Sequence, residues 1–156
     1  MAKFWLLKSE PGCYSISDLK RDKQTFWSGI RNYQARNYMR DAMAVGDGIL
    51  FYHSNASPSG IAGLATVCKA AHPDRTALDP KDDHYDPKSS EKNPIWMMVD
   101  IAYQSTFSNL ISLEQLHRYP ELSGMVVLQK GSRLSVMPVE EAHFKFIQTL
   151  ASIKRK

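Results

Sequence analysis

The sequence predicts an α+β domain whose mixed or antiparallel sheet curls toward a small barrel. Period-two apolar runs and helical spacings are scattered along the chain without the regular strand–helix alternation of a doubly wound parallel sheet. The 156 residues match one domain in size, and 43% of them are hydrophobic, enough for a real core. There is no internal repeat or low-complexity tract to suggest a solenoid or a disordered tail.

The elements follow in order. Residues 4–9 form an opening strand, stopped by Pro11 and Gly12. Ser15 or Ser17 caps a short helix running to about Arg21. Over residues 32–43, Ala35, Tyr38, Met39, Ala42 and Met43 recur at helical spacing and leave Arg36 and Arg40 on the other side. The turn signal Val45-Gly46-Asp47-Gly48 launches a strand with Ile49, Phe51 and His53 on one face and Leu50, Tyr52 and Ser54 on the other. Residues 60–70 read as a third strand, whose small Ala62, Gly63 and Ala65 permit close backbone approach. Residues 72–94 hold four of the eight prolines and five aspartates without periodicity, and are expected to be a long mobile loop. A strand follows with Ile95, Met97, Val99, Ile101 and Tyr103 on one face. Ser112 and Gln115 make a capping box, and residues 133–137 form a last strand. Pro138 then opens a closing helix that buries Val139, His143, Phe146, Ile147 and Leu150. One domain, 1–156, is expected.

Charge narrows the partners. Residues 1–50 carry a net +3, residues 72–100 a net −3, and residues 101–156 a net +3, within an overall +4. Two basic flanks around an acidic middle suit a polyanion-facing side with a solvated excursion elsewhere. The longest apolar stretch, at 95–102, is broken by Asp100 and too short for a bilayer, so no membrane role is expected. The short apolar run before Lys8 is too brief for a signal peptide. Cys13 and Cys68 have neither redox nor metal spacing, which points to a reducing, cytoplasmic setting.

Recognisable catalytic signatures are absent. There is no G-x-S-x-G, no G-x-x-x-x-G-K, no G-x-G-x-x-G, and no zinc deaminase pattern. His72, Asp74, Asp79, Asp82, Asp83, His84 and Asp86 read as a solvated acidic loop in preference to a metal cluster, because prolines interrupt them and no EF-hand glycine is present. His53 and Ser54 sit on opposite strand faces, poor geometry for a base activating a nucleophile. No catalytic residue, metal or cofactor is assigned.

Three segments combine aromatics with small hydrogen-bonding side chains where a regular element meets a loop: residues 5–11, residues 26–37 and residues 51–55. Aromatic faces stack on bases, and Ser, Asn and backbone groups read base edges. Arg31, Arg36, Arg40 and Lys8 would supply phosphate contacts at the rim. Trp5, Phe26 and Phe51 are assigned to the core. For Trp27, Tyr52 and Trp96, pocket and core stay open.

The blocks WLLKSEP, WSGIRNYQARN, GDGILFYHSN, GIAGLA and RLSVMP, collinear from Phe4 to about Ile147, resemble the signature blocks of the EVE domain family. The resemblance implies a PUA-like fold, a small mixed or antiparallel barrel flanked by helices, and a start close to the first block like that of a stand-alone bacterial member. It also implies a reader of modified, for example methylated, bases in DNA or RNA. By matching motif positions it places Lys8, Ser9, Trp27, Asn32, Tyr52, His53, Ser54 and Asn55 in the base pocket. Trp96 is added to the pocket, and Arg133 to the rim beside Arg31, Arg36 and Arg40. The expected partner is a nucleic acid, and the expected state a monomer. An enzyme on modified nucleotides, with His53 as base assisted by Lys8 or Glu10, and a small-ligand module remain as alternatives.

Overall fold

Two apolar clusters, one on each face of a six-stranded sheet, organise the chain. The computed structural model describes residues 3–129 and 134–152. The strands are β1 (Phe4–Ser9), β2 (Gln24–Trp27), β3 (Gly48–His53), β4 (Gly60–Pro73), β5 (Met97–Ser112) and β6 (Val136–Val139). They lie in the order β2-β5-β4-β3-β1-β6, with β1 and β3 parallel and every other neighbouring pair antiparallel. The helices are α1 (Ile16–Asp22), α2 (Tyr33–Asn37), α3 (Leu113–His117) and α4 (Glu141–Ser152).

Burial on both faces explains the apolar runs of β1 and β3. Trp5, Leu7, Ile49 and Phe51 join one cluster with Ile16 and Leu19 of α1 and Ala35 of α2. Leu6, Leu50 and Tyr52 join the other with Leu116 of α3 and Phe144 and Ile147 of α4. The sheet is therefore mixed, as expected, but open. β2 and β6 stand at opposite edges. Because both faces carry a core, the sheet has no single interior to close around, and the expected barrel does not form.

Several boundaries differ from expectation for local reasons. β2 was not foreseen: it is a four-residue edge strand, with Trp27 opposite Val99 and Phe26 opposite Asp100. The helical spacing over 32–43 resolves into α2 followed by a π-helical turn, Tyr38–Ala42, closed by the Met43 amide donating to the Tyr38 carbonyl. Ala35, Met39 and Met43 are still its buried face. Pro138 does not open the last helix but sits in β6 opposite Trp5, a position proline tolerates because β6 is an edge. β5 runs on to Ser112, its register with β4 shifting four times. A Cβ at Gly63 would run into the Ser105 carbonyl of β5, the close approach that the small residues of β4 allow.

Of the two expected caps, Ser15 proves to be the one at α1 and forms a capping box with Asp18, and the expected box at Ser112 forms as well. The Ser15 hydroxyl accepts from the Asp18 amide while Asp18 accepts from the Ser15 amide, and Ser112 and Gln115 repeat the exchange at α3. At the foot of β3 the buried Asp47 carboxylate accepts from the Lys3 amide, the Trp5 indole Nε1 and the Ala44 amide. It ties the starts of β1 and β3 together.

Candidate functional site

Parallel pairing of β1 with β3 brings two sequence blocks side by side, with Lys8 opposite Tyr52 and Ser9 opposite His53. Beyond the strand ends, the Ser54 amide donates to the Ser9 carbonyl at 2.9 Å, and Asn55 Nδ2 donates to Glu10 Oε1 at 2.8 Å. Strand alternation then divides the expected pocket. Ser9 and His53 point to the face that carries Trp27; Lys8 and Tyr52 point to the opposite one, where Lys8 Nζ lies 5.8 Å from the Tyr52 ring centroid. Burial lowers the Lys8 pKa and raises that of Tyr52. Lys8 and Tyr52 cannot line the same hollow as Trp27.

That hollow has a volume of about 380 Å³ and lies where β1 and β2 end. Its walls are Ser9, Tyr14, Phe26, Trp27, Ser28 and His84, with Cys13 and Thr25 completing the rim. Trp27 forms the floor, held edge-on against Phe51 (ring centroids 5.5 Å apart, planes at 82°) and Tyr14 (6.4 Å, 82°). Trp27 is thus both core and wall. Phe26, expected in the core, is 53% exposed, because alternation along an edge strand turns it outward when Trp27 turns in. The Ser9 hydroxyl donates to the Tyr14 carbonyl at 2.6 Å and fixes the corner after β1.

His53 flanks this corner and is committed to it. Its Nε2 accepts from the Ile16 amide at 3.1 Å, at the start of α1. Burial lowers its pKa, which keeps the ring neutral and the Nε2 lone pair in use. That leaves Nδ1–H as a donor and no free nitrogen lone pair for a general base.

The long segment 72–94 supplies the remaining wall. It is not structureless: a 3₁₀ turn at Arg75–Leu78 is followed by turns in which Asp79, Asp82 and Asp86 side chains accept from the Lys81, His84 and Lys88 amides. Asp74, buried, accepts from the Gly29 amide (2.8 Å), Arg31 Nη1 (3.1 Å), the Thr76 amide (2.9 Å) and the Thr76 hydroxyl (2.6 Å). Burial pushes its carboxyl up, but the hydrogen bonds from Thr76, Gly29 and Arg31 outweigh that and hold it below the usual carboxylate range. Arg31 Nη2 also donates to the His84 carbonyl at 2.6 Å and to the Thr76 hydroxyl. Gly29, at φ +80°, leaves room for the His84 ring, whose Cε1 and Nε2 lie 2.9 Å from where a Cβ would be. His84 is thereby set beside Trp27.

The remaining expected residues fall around this centre with other duties. Asn32 caps α2 by accepting from the Ala35 amide. Trp96 is buried, donates from Nε1 to Asp86 Oδ2 at 2.7 Å, and packs on Tyr33. Arg31 and Arg36 lie over Trp96, and Arg36 also covers Tyr33 and donates to the Ile95 carbonyl. Both arginines, expected at the rim, are engaged within the chain. Arg40 is exposed and paired with Asp41. Arg133 lies outside the described residues. Among the described residues no three His, Cys, Asp or Glu side chains converge as a metal would require; His72 pairs with Asp100. No helix among them is long and apolar enough to cross a membrane.

Sequence reasoning missed Tyr14 and His84 as walls. His84 arrives from 57 positions beyond Trp27, through contacts no local pattern reveals.

A mixed sheet clad by helices on both faces, with a tryptophan-floored hollow at the strand ends, defines an α+β module of the EVE/PUA-like kind. The chain belongs to the EVE domain family, whose model matches residues 3–150. It is similar to thymocyte nuclear protein 1 of Homo sapiens, 40% identical over a 169-residue alignment that covers 96% of this chain and 74% of that one. Among solved structures it resembles a hypothetical protein from Leishmania major (TM-score 0.92, 42% identity, 97% of this chain and 95% of that one). It also resembles the human THYN1 protein in complex with 5-methylcytosine-containing DNA (TM-score 0.90, 39% identity, 99% and 100%).

Proposed function

We propose that this chain is a non-catalytic module that captures a methylated base of a nucleic acid, with DNA as the first partner to test, in the hollow over Trp27. The observation that carries the reading is the hollow itself: an aromatic floor and an exposed aromatic wall beside Ser9, Ser28 and His84, with room for a base. The human relative whose structure contains 5-methylcytosine DNA supports the choice of ligand. Ser9 and Trp27 line the site. His53, Ser54 and Asn55 shape its edge, and Arg40 extends the basic side. Stacking contributes about 1–3 kcal/mol per base, and a buried methyl adds about 0.8 kcal/mol, so methylation can tip a near-balanced capture. The committed Nε2 of His53 favours binding over turnover by the base expected for an enzyme.

The test is binding of matched oligonucleotides with cytosine, 5-methylcytosine or 5-hydroxymethylcytosine, alongside incubation with the free nucleosides to look for turnover. A preference for one modified strand with no product is expected. Equal affinity for all strands would overturn the reading, and product formation would replace it with the enzymatic one.

A further inference from the structure

We infer that Phe26 is a wedge that fills the gap left in a double helix when the recognised base is drawn out. The inference rests on the base-reader reading and assigns a further residue to it. A base removed from a duplex leaves its neighbours unstacked, and proteins that distort duplexes offset that loss by inserting an apolar side chain between the base steps. Such a side chain must be exposed, rigidly mounted, and adjacent to the mouth of the pocket that takes the base.

Phe26 meets each condition. It is 53% exposed although its neighbour Trp27 is buried, so it is an apolar ring left in solvent at the edge of a folded sheet. β2 is the outermost strand, with its far side uncovered by any other strand. Pairing with β5, Phe26 opposite Asp100, fixes the backbone that carries the ring. With Ser28 and His84 the ring borders both the hollow over Trp27 and a second, wider depression of about 530 Å³ that Thr76, Lys81, Asp82 and Asp83 complete. A base drawn into the hollow over Trp27 would pass this exposed ring, which forms part of the hollow's wall. Trp27 cannot take this part, because its ring is packed against Phe51 and Tyr14.

The experiment separates duplex capture from pocket binding. Wild type, Phe26→Ala and Phe26→Trp are titrated with three probes carrying 5-methylcytosine: a single strand, a fully paired duplex, and a duplex with the methylated base opposite an abasic site. Loss of Phe26 should weaken binding to the paired duplex at least about tenfold more than binding to the single strand, because the single strand loses only a pocket-wall contact whereas the duplex also loses the filler of its gap. The abasic probe, whose base is already unpaired, should fall between them, and Phe26→Trp should retain duplex binding. Equal losses on single strand and duplex would make Phe26 a mere pocket wall and overturn the wedge while leaving the base reader standing. No loss on either would also overturn it. If wild type shows no preference for methylated over unmodified strands of any form, the base-reader reading fails first and the wedge with it.

Discussion

Removing the Asp74 carboxylate tests the joint that sets His84 beside Trp27. Asp74 has no exposed side-chain surface, and its partner Arg31 is 22% exposed. In Asp74→Ala the Gly29 and Thr76 amides lose their acceptor and Arg31 loses its counter-charge. Breaking a buried pair from one side costs about 3–5 kcal/mol. Arg31 keeps the His84 carbonyl, the Thr76 hydroxyl and some solvent, so the lower end, about 3 kcal/mol, is expected. For a domain of this size that is about 6–12 °C in Tm. The assay is urea and thermal unfolding of both proteins at several pH values. Because the folded carboxyl titrates below its unfolded value of about 3.9, the contribution is fully present above that value and is lost as pH falls through the folded one. The gap between wild type and variant should therefore be full at pH 7 and narrow in acid. A gap below about 1 kcal/mol at pH 7, or one that persists unchanged to pH 2, would refute the reasoning.

Four further outcomes are expected. Trp27→Ala should cost about 3–5 kcal/mol of stability, since Phe51 and Tyr14 pack on the ring, and under conditions where it stays folded it should lose about 1–3 kcal/mol of affinity for a methylated strand; a folded variant that binds normally removes Trp27 from the site. His53 titrates below its unfolded value, so its stabilising bond is present above about pH 6.5 and lost on acidification; the stability gap to His53→Gln should narrow below that pH, and a gap independent of pH would contradict the assignment. Arg40→Gln should leave stability within about 0.5 kcal/mol and flatten the salt dependence of DNA binding by about one unit; an unchanged slope excludes Arg40 from the interface. Amides at 82–90, held mainly by exposed Asp-capped turns, should exchange fast, and strong protection throughout would show a rigid wall.

What was legible in the sequence was local. β1, α1 and the Ser112–Gln115 capping box could be read because alternation, helical spacing and cap residues lie within a few positions of one another, although the cap of α1 was left between Ser15 and Ser17. The face assignment of β3 was legible too, and it already implied that Tyr52 and His53 point apart. Grouping them in one pocket followed the motif block and ignored the pleat. Phe26 was misread because β2 is too short to declare its phase. The duties of Arg31 and His84 depend on Asp74, 43 residues from Arg31, and no spacing rule reaches that far. Closure of the sheet was equally out of reach, since it depends on whether the two edge strands meet.

β1 lies between β3 and β6, yet it is the first strand in the chain and β6 the last. During synthesis β1 therefore waits for its second neighbour until residues 136–139 have emerged, presenting an apolar edge in the meantime. Pairings of such wide sequence separation raise contact order and slow folding. A chain cut short before β6 would keep every residue that lines the hollow over Trp27 but expose the flank of β1, the strand that carries Ser9, and strip Phe144 and Ile147 of α4 from the second cluster. Loss of residues 136–156 should thus be felt as aggregation during production before it is felt in ligand recognition.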